Sequence, residues 1–195
     1  STEMAALASH RAAWARVVAE EAPMLVLEDD AVLLSGVPGF LTALQTLPEA
    51  ELVSLETRGR RKLIANKPHE AASMHRLWQD RTGAAAYVLN PSGARKLLAR
   101  VAMAPGLADA ILCAAYDVTA WQAVPAFACQ LDRCEAEGIP TPIVTESAIG
   151  REAKPNDPPS VAQKLRRMRS QIRMGVRELT HRSGSEKSIV PLARN

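Results

Sequence analysis

The stretch Met24-Leu25-Val26-Leu27-Glu28-Asp29-Asp30 decides the fold that this sequence predicts. Four consecutive apolar residues indicate a short strand that is buried on both faces, as in a parallel or mixed sheet. Three carboxylates follow the strand directly. Because side chains alternate along an extended backbone, Glu28 and Asp30 should point to one side and Asp29 to the other.

This acidic strand end has two interpretations. Ligands of open α/β sheets bind beyond the carboxyl ends of the strands, and two carboxylates on one side there could hold Mg²⁺ or Mn²⁺. Such a cation could hold a diphosphate and neutralise the charge on a leaving nucleoside diphosphate. Alternatively, the carboxylates form an acidic turn that bonds backbone amides. The strand context by itself leaves both interpretations open.

Helical and strand patterns alternate along the rest of the chain. This alternation predicts an α/β fold with a mostly parallel sheet flanked by helices. Residues 57–82 are expected to form a long, charged insertion between two strands, and residues 183–195 are expected to be a frayed tail. The predicted helices cover residues 2–21, 38–47, 91–102, 107–116 and 160–179. The further predicted strands cover residues 51–55, 83–89 and 120–128.

Composition narrows the class of protein. A chain of 195 residues that is 47% hydrophobic suits one globular body. We find no apolar run long enough to span a membrane and no signal-peptide pattern, so a cytoplasmic protein is expected. The three cysteines are expected to be free thiols. Aromatic residues make up 4% of the chain and do not interleave with basic ones, which argues against nucleic-acid binding.

The predicted C-terminal helix is basic and amphipathic. Residues 161–182 carry seven Lys or Arg side chains against Glu178, a net charge of +6, so the rest of the chain carries −3 of the total of +3. Such a helix could lie on an anionic membrane surface. Equally, its apolar stripe could dock on the body of the protein. The stripe consists of Val161, Leu165, Met168, Ile172, Val176 and Leu179.

Three separated stretches resemble a known family. Residues 8–14 form a helix with Ser-His followed by an aromatic residue, and residues 25–31 form a strand that ends in Glu-Asp-Asp. Residues 82–98 contain a Thr-Gly strand start, a tyrosine and a following helix. Weaker similarities to the same family lie at residues 107–109 and 145–149. In order and spacing, these stretches resemble glycosyltransferase family 25, the lipopolysaccharide-biosynthesis type, over residues 1 to about 150.

The resemblance implies a GT-A-like domain over residues 1–150, followed by a Pro-rich linker, basic helix and tail over 151–195. It implies an inverting transfer of galactose or glucose from a UDP-sugar to a lipopolysaccharide or other surface-glycan acceptor, at the inner membrane face where the acceptor is lipid-linked. Glu28 and Asp30 would then bind Mn²⁺ or Mg²⁺. Asp29 and Asp109 would be the catalytic carboxylates, with Asp109 as the base for the acceptor hydroxyl. Asp109 could equally be an ordinary helix-start aspartate.

The resemblance also assigns contacts to the nucleotide sugar. Ser9 and His10 of the first helix and Thr82 of the third stretch are expected to contribute, and His10 could bond a phosphate or orient a carboxylate. Arg60 and Arg61 could clamp a diphosphate, because guanidinium groups match phosphate oxygens. A histidine packed in the core and a solvated basic loop are the simpler alternatives.

Two features depart from the family pattern. The family usually begins with a strand that helps to hold the nucleotide, whereas this sequence opens on the Ser-His helix, so we expect that strand to be absent. In addition, residues 82–83 read Thr-Gly in the reverse of the usual order. A degenerate, non-catalytic binding module of the same fold is therefore the alternative function, and a metal-dependent phosphohydrolase is a weaker one.

Overall fold

The computed structural model describes residues 2–103, 108–141 and 161–194. Six helices and nine strands lie in these ranges. The helices are α1 (Thr2–Glu20), α2 (Val37–Leu44), α3 (Pro91–Met103), α4 (Ala108–Cys113), α5 (Leu131–Cys134) and α6 (Val161–Thr180). The strands are β1 (Met24–Leu27), β2 (Ala31–Leu33), β3 (Leu52–Ser54), β4 (Arg61–Pro68), β5 (Met74–Gln79), β6 (Ala86–Leu89), β7 (Ala120–Ala123), β8 (Ala128–Gln130) and β9 (Ser185–Ile189).

The sheet has mixed topology. Within the described ranges, seven strands form one sheet in the order β1-β6-β3-β7-β5-β4-β9, and β2 pairs with β8 in a second. The pairing of β3 with β7 is parallel, and the other strand pairings in these ranges are antiparallel. The predicted α/β class is therefore confirmed, but the mostly parallel sheet is wrong. An apolar run indicates that a strand is buried and does not indicate its direction.

The topology brings two strand ends together. Strands β1 and β3 both pair antiparallel with β6, so they run in the same direction on either side of it. At their carboxyl ends, Leu27 lies opposite Ala86 and Ser54 lies opposite Tyr87. The residues that follow β1 and β3 therefore emerge side by side, at the edge of the sheet where ligands of α/β proteins bind.

Two apolar clusters cover the two faces of the large sheet. Helices α1, α3 and α4 pack on one face, where Trp14 and Leu97 are fully buried. Helix α2 covers the other face through Phe40 and Leu44. Both faces are closed by helices, which explains why the β1 and β6 sequences are apolar without alternation.

Helix α3 begins where its sequence predicts. Asn90 accepts a hydrogen bond from the Gly93 N–H at 2.9 Å, and proline occupies the first helical position. The Glu51 carboxylate ties this helix start to the sheet, because it accepts hydrogen bonds from Lys96 and from the Thr119 N–H at 2.7 Å each. Burial would raise the pKa of Glu51, but the hydrogen bonds from its partners outweigh burial and lower this pKa.

The predicted frayed tail is wrong. Residues 185–189 form β9, which pairs antiparallel with β4 in a register that sets Arg61 opposite Ile189 and Ala65 opposite Ser185. The segment is polar and lacks strand alternation, so its sequence gave little sign of a strand. It is an edge strand held by backbone hydrogen bonds, for which side-chain burial is not required.

Helix α6 contacts the body through its basic face. The Arg177 Nε donates a hydrogen bond to the Trp78 carbonyl, and its guanidinium lies 4.6 Å from the centroid of the Tyr116 ring. The His181 ring stacks on Trp78 at 3.7 Å. Apolar side chains of the opposite face are about half or more exposed. The interpretation in which the apolar stripe docks on the body is therefore wrong for these side chains. These side chains are Met168, Ile172, Val176 and Leu179.

Two further sequence expectations concern the C-terminal part. No helix in the described ranges is both long enough and apolar enough to cross a bilayer. The predicted Pro-rich linker and the family similarity at residues 145–149 lie outside the described residues.

Candidate functional site

The acidic strand end is gathered around one glutamine. The Gln130 Nε2 donates to the Asp30 carboxylate oxygens at 3.0 and 3.2 Å and lies 3.3 Å from the Glu28 Oε2. Glu28 and Asp30 thus face one side, as alternation requires, while Asp29 is exposed. Gln130 is supplied by β8, which pairs with β2 directly after the acidic residues.

The electrostatics of this cluster favour a cation. Burial raises the pKa of Asp30, the hydrogen bond from Gln130 opposes that rise, and the charges of Glu28 and Asp29 add to it. Like charges held this close repel one another, and a positive ion between them would relieve the repulsion.

A chain of buried hydrogen bonds reaches Glu28 from α1. The Trp14 indole N–H donates to the Tyr87 hydroxyl at 2.7 Å, and this hydroxyl lies 2.8 Å from the His10 Nδ1. Since the hydroxyl accepts from Trp14, its own proton is free for His10 Nδ1. The His10 Nε2, which then carries the ring proton, donates to the Glu28 Oε1 at 3.1 Å. Burial raises the pKa of Tyr87 well above its ordinary value, so the phenol stays neutral.

These contacts unite three stretches that are far apart in the sequence: the Ser-His helix, the Glu-Asp-Asp strand end and the strand that contains Tyr87. A family model described as glycosyltransferase family 25 (LPS biosynthesis protein) matches residues 1–113, more than half of the chain, and includes all three stretches. The chain belongs to glycosyltransferase family 25. No curated protein sequence matches it.

The candidate site contains two carboxylates of the kind that bind a hard divalent cation, but it does not contain a complete set of ligands. Within the described ranges, no group of three His, Cys, Asp or Glu side chains could hold a metal ion. Two carboxylates do converge, however, and the buried Gln130 Oε1 beside them lacks a hydrogen-bond partner among the described residues. Mg²⁺ is commonly bound by one or two carboxylates together with substrate phosphates and water, so Glu28 and Asp30 fit this ion.

Other predicted site residues of this family 25 chain lie outside the cluster. The Ser9 hydroxyl donates to the Ala5 carbonyl on an exposed helix face. Arg60 and Arg61 are exposed where β4 begins. Asp109 lies in the first turn of α4, where its carboxylate accepts a hydrogen bond from the Ala110 N–H at 2.6 Å.

Three residues that the sequence interpretation did not assign lie at or near the site, namely Tyr87, Gln130 and Glu56. The Thr82 hydroxyl is buried without a hydrogen-bond partner among the described residues. Tyr87 is buried in the core, and its hydroxyl also belongs to the hydrogen-bond chain that reaches Glu28. Gln130 gives no sequence signal. Glu56 does give one, because it follows an apolar strand just as Glu28 does.

Proposed function

We propose that this chain is an inverting, metal-dependent glycosyltransferase that moves galactose or glucose from a UDP-sugar to a lipopolysaccharide or other surface-glycan acceptor. The convergence of Glu28 and Asp30, held by Gln130 and by the chain from His10, is the observation that carries the proposal. Buried hydrogen-bonded networks of this kind fix the orientation of a functional carboxylate.

Glu28 and Asp30 are the proposed ligands of Mn²⁺ or Mg²⁺. A bound cation would hold the diphosphate of the donor and neutralise the charge that develops on it. His10 orients the Glu28 carboxylate from one side, and Gln130 holds both carboxylates from the other. Together these side chains fix the two carboxylates before the donor binds, so less ordering is needed on binding.

The remaining roles are proposed on the family pattern. Asp109 takes the proton from the acceptor hydroxyl as it attacks the anomeric carbon, and Asp29 is the second catalytic carboxylate. Ser9, Arg60, Arg61 and Thr82 contact the nucleotide sugar. The Ser9 hydroxyl is bonded within its own helix, and the two arginines are exposed. These side chains would therefore make their contacts only after the nucleotide sugar has bound.

Asp30→Asn tests the proposal by calorimetry with UDP and MnCl₂. Wild type should bind UDP only with Mn²⁺, and Asp30→Asn should bind about 100-fold more weakly because one of two converging charges is lost, a difference of about 2.7 kcal/mol. The release of UDP from UDP-galactose or UDP-glucose should fall in parallel.

Asp132→Asn is the matched control for Asp30. Asp132 adds negative charge near Asp30, but it is exposed and pairs with Arg58. The affinity of the Asp132→Asn variant for UDP should therefore stay within about twofold of wild type. Equal loss in both variants would mean that general charge, not the Glu28–Asp30 pair, binds the metal. If wild type shows no metal-dependent UDP binding, the chain is the degenerate binding module.

We further propose that α6 holds the protein on the inner membrane face, with the protein otherwise in the cytoplasm. Four apolar side chains of the helix are about half or more exposed, and residues 161–182 carry a net charge of +6. The four side chains are Met168, Ile172, Val176 and Leu179. Apolar burial and attraction to anionic lipids would act together on such a surface. A lipid-linked acceptor would be presented at the same surface.

Ile172→Glu combined with Val176→Glu tests the membrane contact in sedimentation with vesicles. Wild type should bind vesicles containing about 30% anionic lipid at least tenfold more tightly than the double variant, and binding should weaken as salt rises. Met103→Glu, at the exposed end of α3, is the control and should bind like wild type. Equal binding by wild type and the double variant would refute the proposal.

A further inference from the structure

Two arginines meet at one aromatic ring where α6 lies on the large sheet. The Arg177 guanidinium carbon lies 5.6 Å from the centroid of the Trp78 ring, and that of Arg76 in β5 lies 4.9 Å from it. Both arginines are partly buried. Arg173 and His181 are four residues before and after Arg177, so they add basic groups on the same side of the helix. We refer to Arg76 and Arg177 as the arginine pair.

The arginine pair has no carboxylate partner. In the part of the chain that the structure describes, no salt bridge joins either arginine to an Asp or Glu side chain. Glu51, whose charge reaches Arg76, is itself paired with Lys96 at 2.7 Å. Asp117 pairs with an arginine of α3. The positive charge of the pair is therefore not neutralised by these neighbours.

Each guanidinium group also has donors that the protein does not use. Arg177 donates through Nε to the Trp78 carbonyl. Arg76 donates through Nη1 to the carbonyls of Leu77 and Ala120. The other nitrogens of the two groups make no hydrogen bond to a described residue, and they are not among the buried polar atoms that lack a partner. Solvent therefore reaches these nitrogens, and so can a ligand.

The closeness of the two cations is unfavourable without an anion. Burial, followed by the charge of Arg177, lowers the pKa of Arg76 to about 10. Burial also lowers the pKa of Arg177. Both groups remain charged near pH 7 and repel each other, so a bound anion would relieve the repulsion. Attachment of α6 to the sheet would not by itself require two positive charges at one ring.

A phosphate group is the anion that suits the arginine pair. Guanidinium groups bind the oxygens of carboxylates and phosphates through paired N–H donors. One guanidinium group can occupy both oxygens of a carboxylate. A phosphomonoester has three free oxygens and nearly two negative charges, so it can bridge two guanidinium groups. Arg173, at 5.5 Å from the Tyr116 ring centroid, adds a further positive charge beside the pair.

The position of the arginine pair indicates where such a phosphate would come from. The pair lies between α6 and the sheet, whereas Ile172 and Val176 are exposed on the other side of the helix. A bilayer bound through those two side chains would not present its own phosphates to the pair. Asp109, the proposed base, belongs to α4, and Tyr116 follows this helix closely. The pair therefore lies beside the element that carries the proposed base.

We propose that the arginine pair binds a phosphate group carried by a sugar of the acceptor glycan. The assignment rests on the glycosyltransferase function proposed above. The bound phosphate would hold the acceptor beside α4, and glycans without a phosphate would bind more weakly. This names a class of acceptor, a phosphorylated glycan, that the Glu28–Asp30 site does not specify.

NMR of the full chain with galactose 6-phosphate, inorganic phosphate and galactose tests the site. The chain has three tryptophans, so the indole signal of Trp78 can be followed. Wild type should bind both phosphates with about millimolar Kd and should not bind galactose detectably. Arg76→Met and Arg177→Met should each weaken phosphate binding at least tenfold, because each removes a charged donor group. Arg182→Met, at an exposed arginine just after α6, should bind like wild type.

Further measurements separate the possible sources of the phosphate. UDP with Mg²⁺ should not displace galactose 6-phosphate, and Arg76→Met should keep wild-type affinity for UDP and Mn²⁺ in calorimetry. Arg76→Met should also bind anionic vesicles like wild type, because Arg76 belongs to the sheet and not to α6. Thermal unfolding verifies that each variant folds. Added phosphate should raise the melting temperature of wild type and Arg182→Met but not that of Arg76→Met.

Four results would overturn the inference. The first two are equal affinity for galactose 6-phosphate in wild type and both pair variants, and no such binding by a wild type that binds UDP. The third, displacement by UDP, would mean that the pair holds the donor diphosphate. The fourth, loss of vesicle binding in Arg76→Met, would assign the pair to lipid headgroups. If wild type binds galactose 6-phosphate but not UDP, the glycosyltransferase proposal fails, and with it the assignment to an acceptor, while the phosphate site remains.

Discussion

Lys62→Met is expected to lower the free energy of unfolding by about 4 kcal/mol. The ammonium group is 2% exposed and pairs with Asp80 at 2.7 Å, and it also donates to Gln122 at 2.6 Å and to Ser54 at 3.2 Å. Methionine retains the volume of the stem but leaves the Asp80 side chain, which is only 8% exposed, as an uncompensated buried charge. The nearby Glu56 carboxyl group would also lose the favourable charge of Lys62.

Urea unfolding at pH 7 measures this effect, and Lys67→Met is the matched control. Lys67 is 83% exposed and pairs with Glu70, whose side chain is 88% exposed, so its replacement should change stability by less than about 0.5 kcal/mol. Adding Asp80→Asn to Lys62→Met should recover part of the loss, because the unpaired charge is removed. Similar unfolding midpoints for the Lys62 and Lys67 variants would contradict the expectation.

Gly93→Ala is expected to destabilise the protein by about 3 kcal/mol, near the upper end for added core volume. A Cβ at this position would lie 2.6 Å from the Glu51 backbone oxygen and 3.1 Å from Leu89. The Glu51 carbonyl cannot move aside easily, because it accepts a hydrogen bond from the Asn90 N–H at 3.0 Å. Helix α3 would have to shift away from the sheet.

Gly39→Ala provides a control with the opposite sign. Gly39 lies within α2, and a Cβ there would have no atom within 4 Å. The change should therefore stabilise the protein by about 0.5–1 kcal/mol through helix propensity. Thermal or urea unfolding of both variants checks the pair, and a Gly93→Ala variant as stable as wild type would show that the helix start is not tightly packed.

The sequence predicted the elements of this fold better than their arrangement. Strand β1 could be predicted because its four residues are all apolar, and α3 could be predicted because Asn90 and Pro91 suit the start of a helix. The predicted first helix, residues 2–21, corresponds to α1. Strand direction could not be predicted, because the β6 sequence would be equally apolar in a parallel or an antiparallel position. The polar β9 forms through pairing with β4, which depends on an edge that the sequence does not reveal.

The sequence predicted only part of the candidate site, because strand pairing brings some of its residues together. Three consecutive carboxylates after a buried strand are a local signal, so Glu28 and Asp30 were found. Gln130 comes to them through the pairing of β2 with β8, and an isolated glutamine carries no local signal. Glu56 also follows an apolar strand, but its relation to Glu28 depends on the topology, which places the end of β3 beside the end of β1.

The two faces of α6 determine how far the body of the protein would lie from a bilayer to which this helix binds. Arg177 contacts Trp78 and Tyr116 of the body, whereas the exposed apolar side chains of the helix lie on its other side. A helix with its side chains is about 10–12 Å across. On a bilayer, Trp78 and Tyr116 would therefore stand roughly one helix diameter above the headgroups. A glycan attached to a lipid of that bilayer would have to extend at least this far before one of its sugars could contact these two rings.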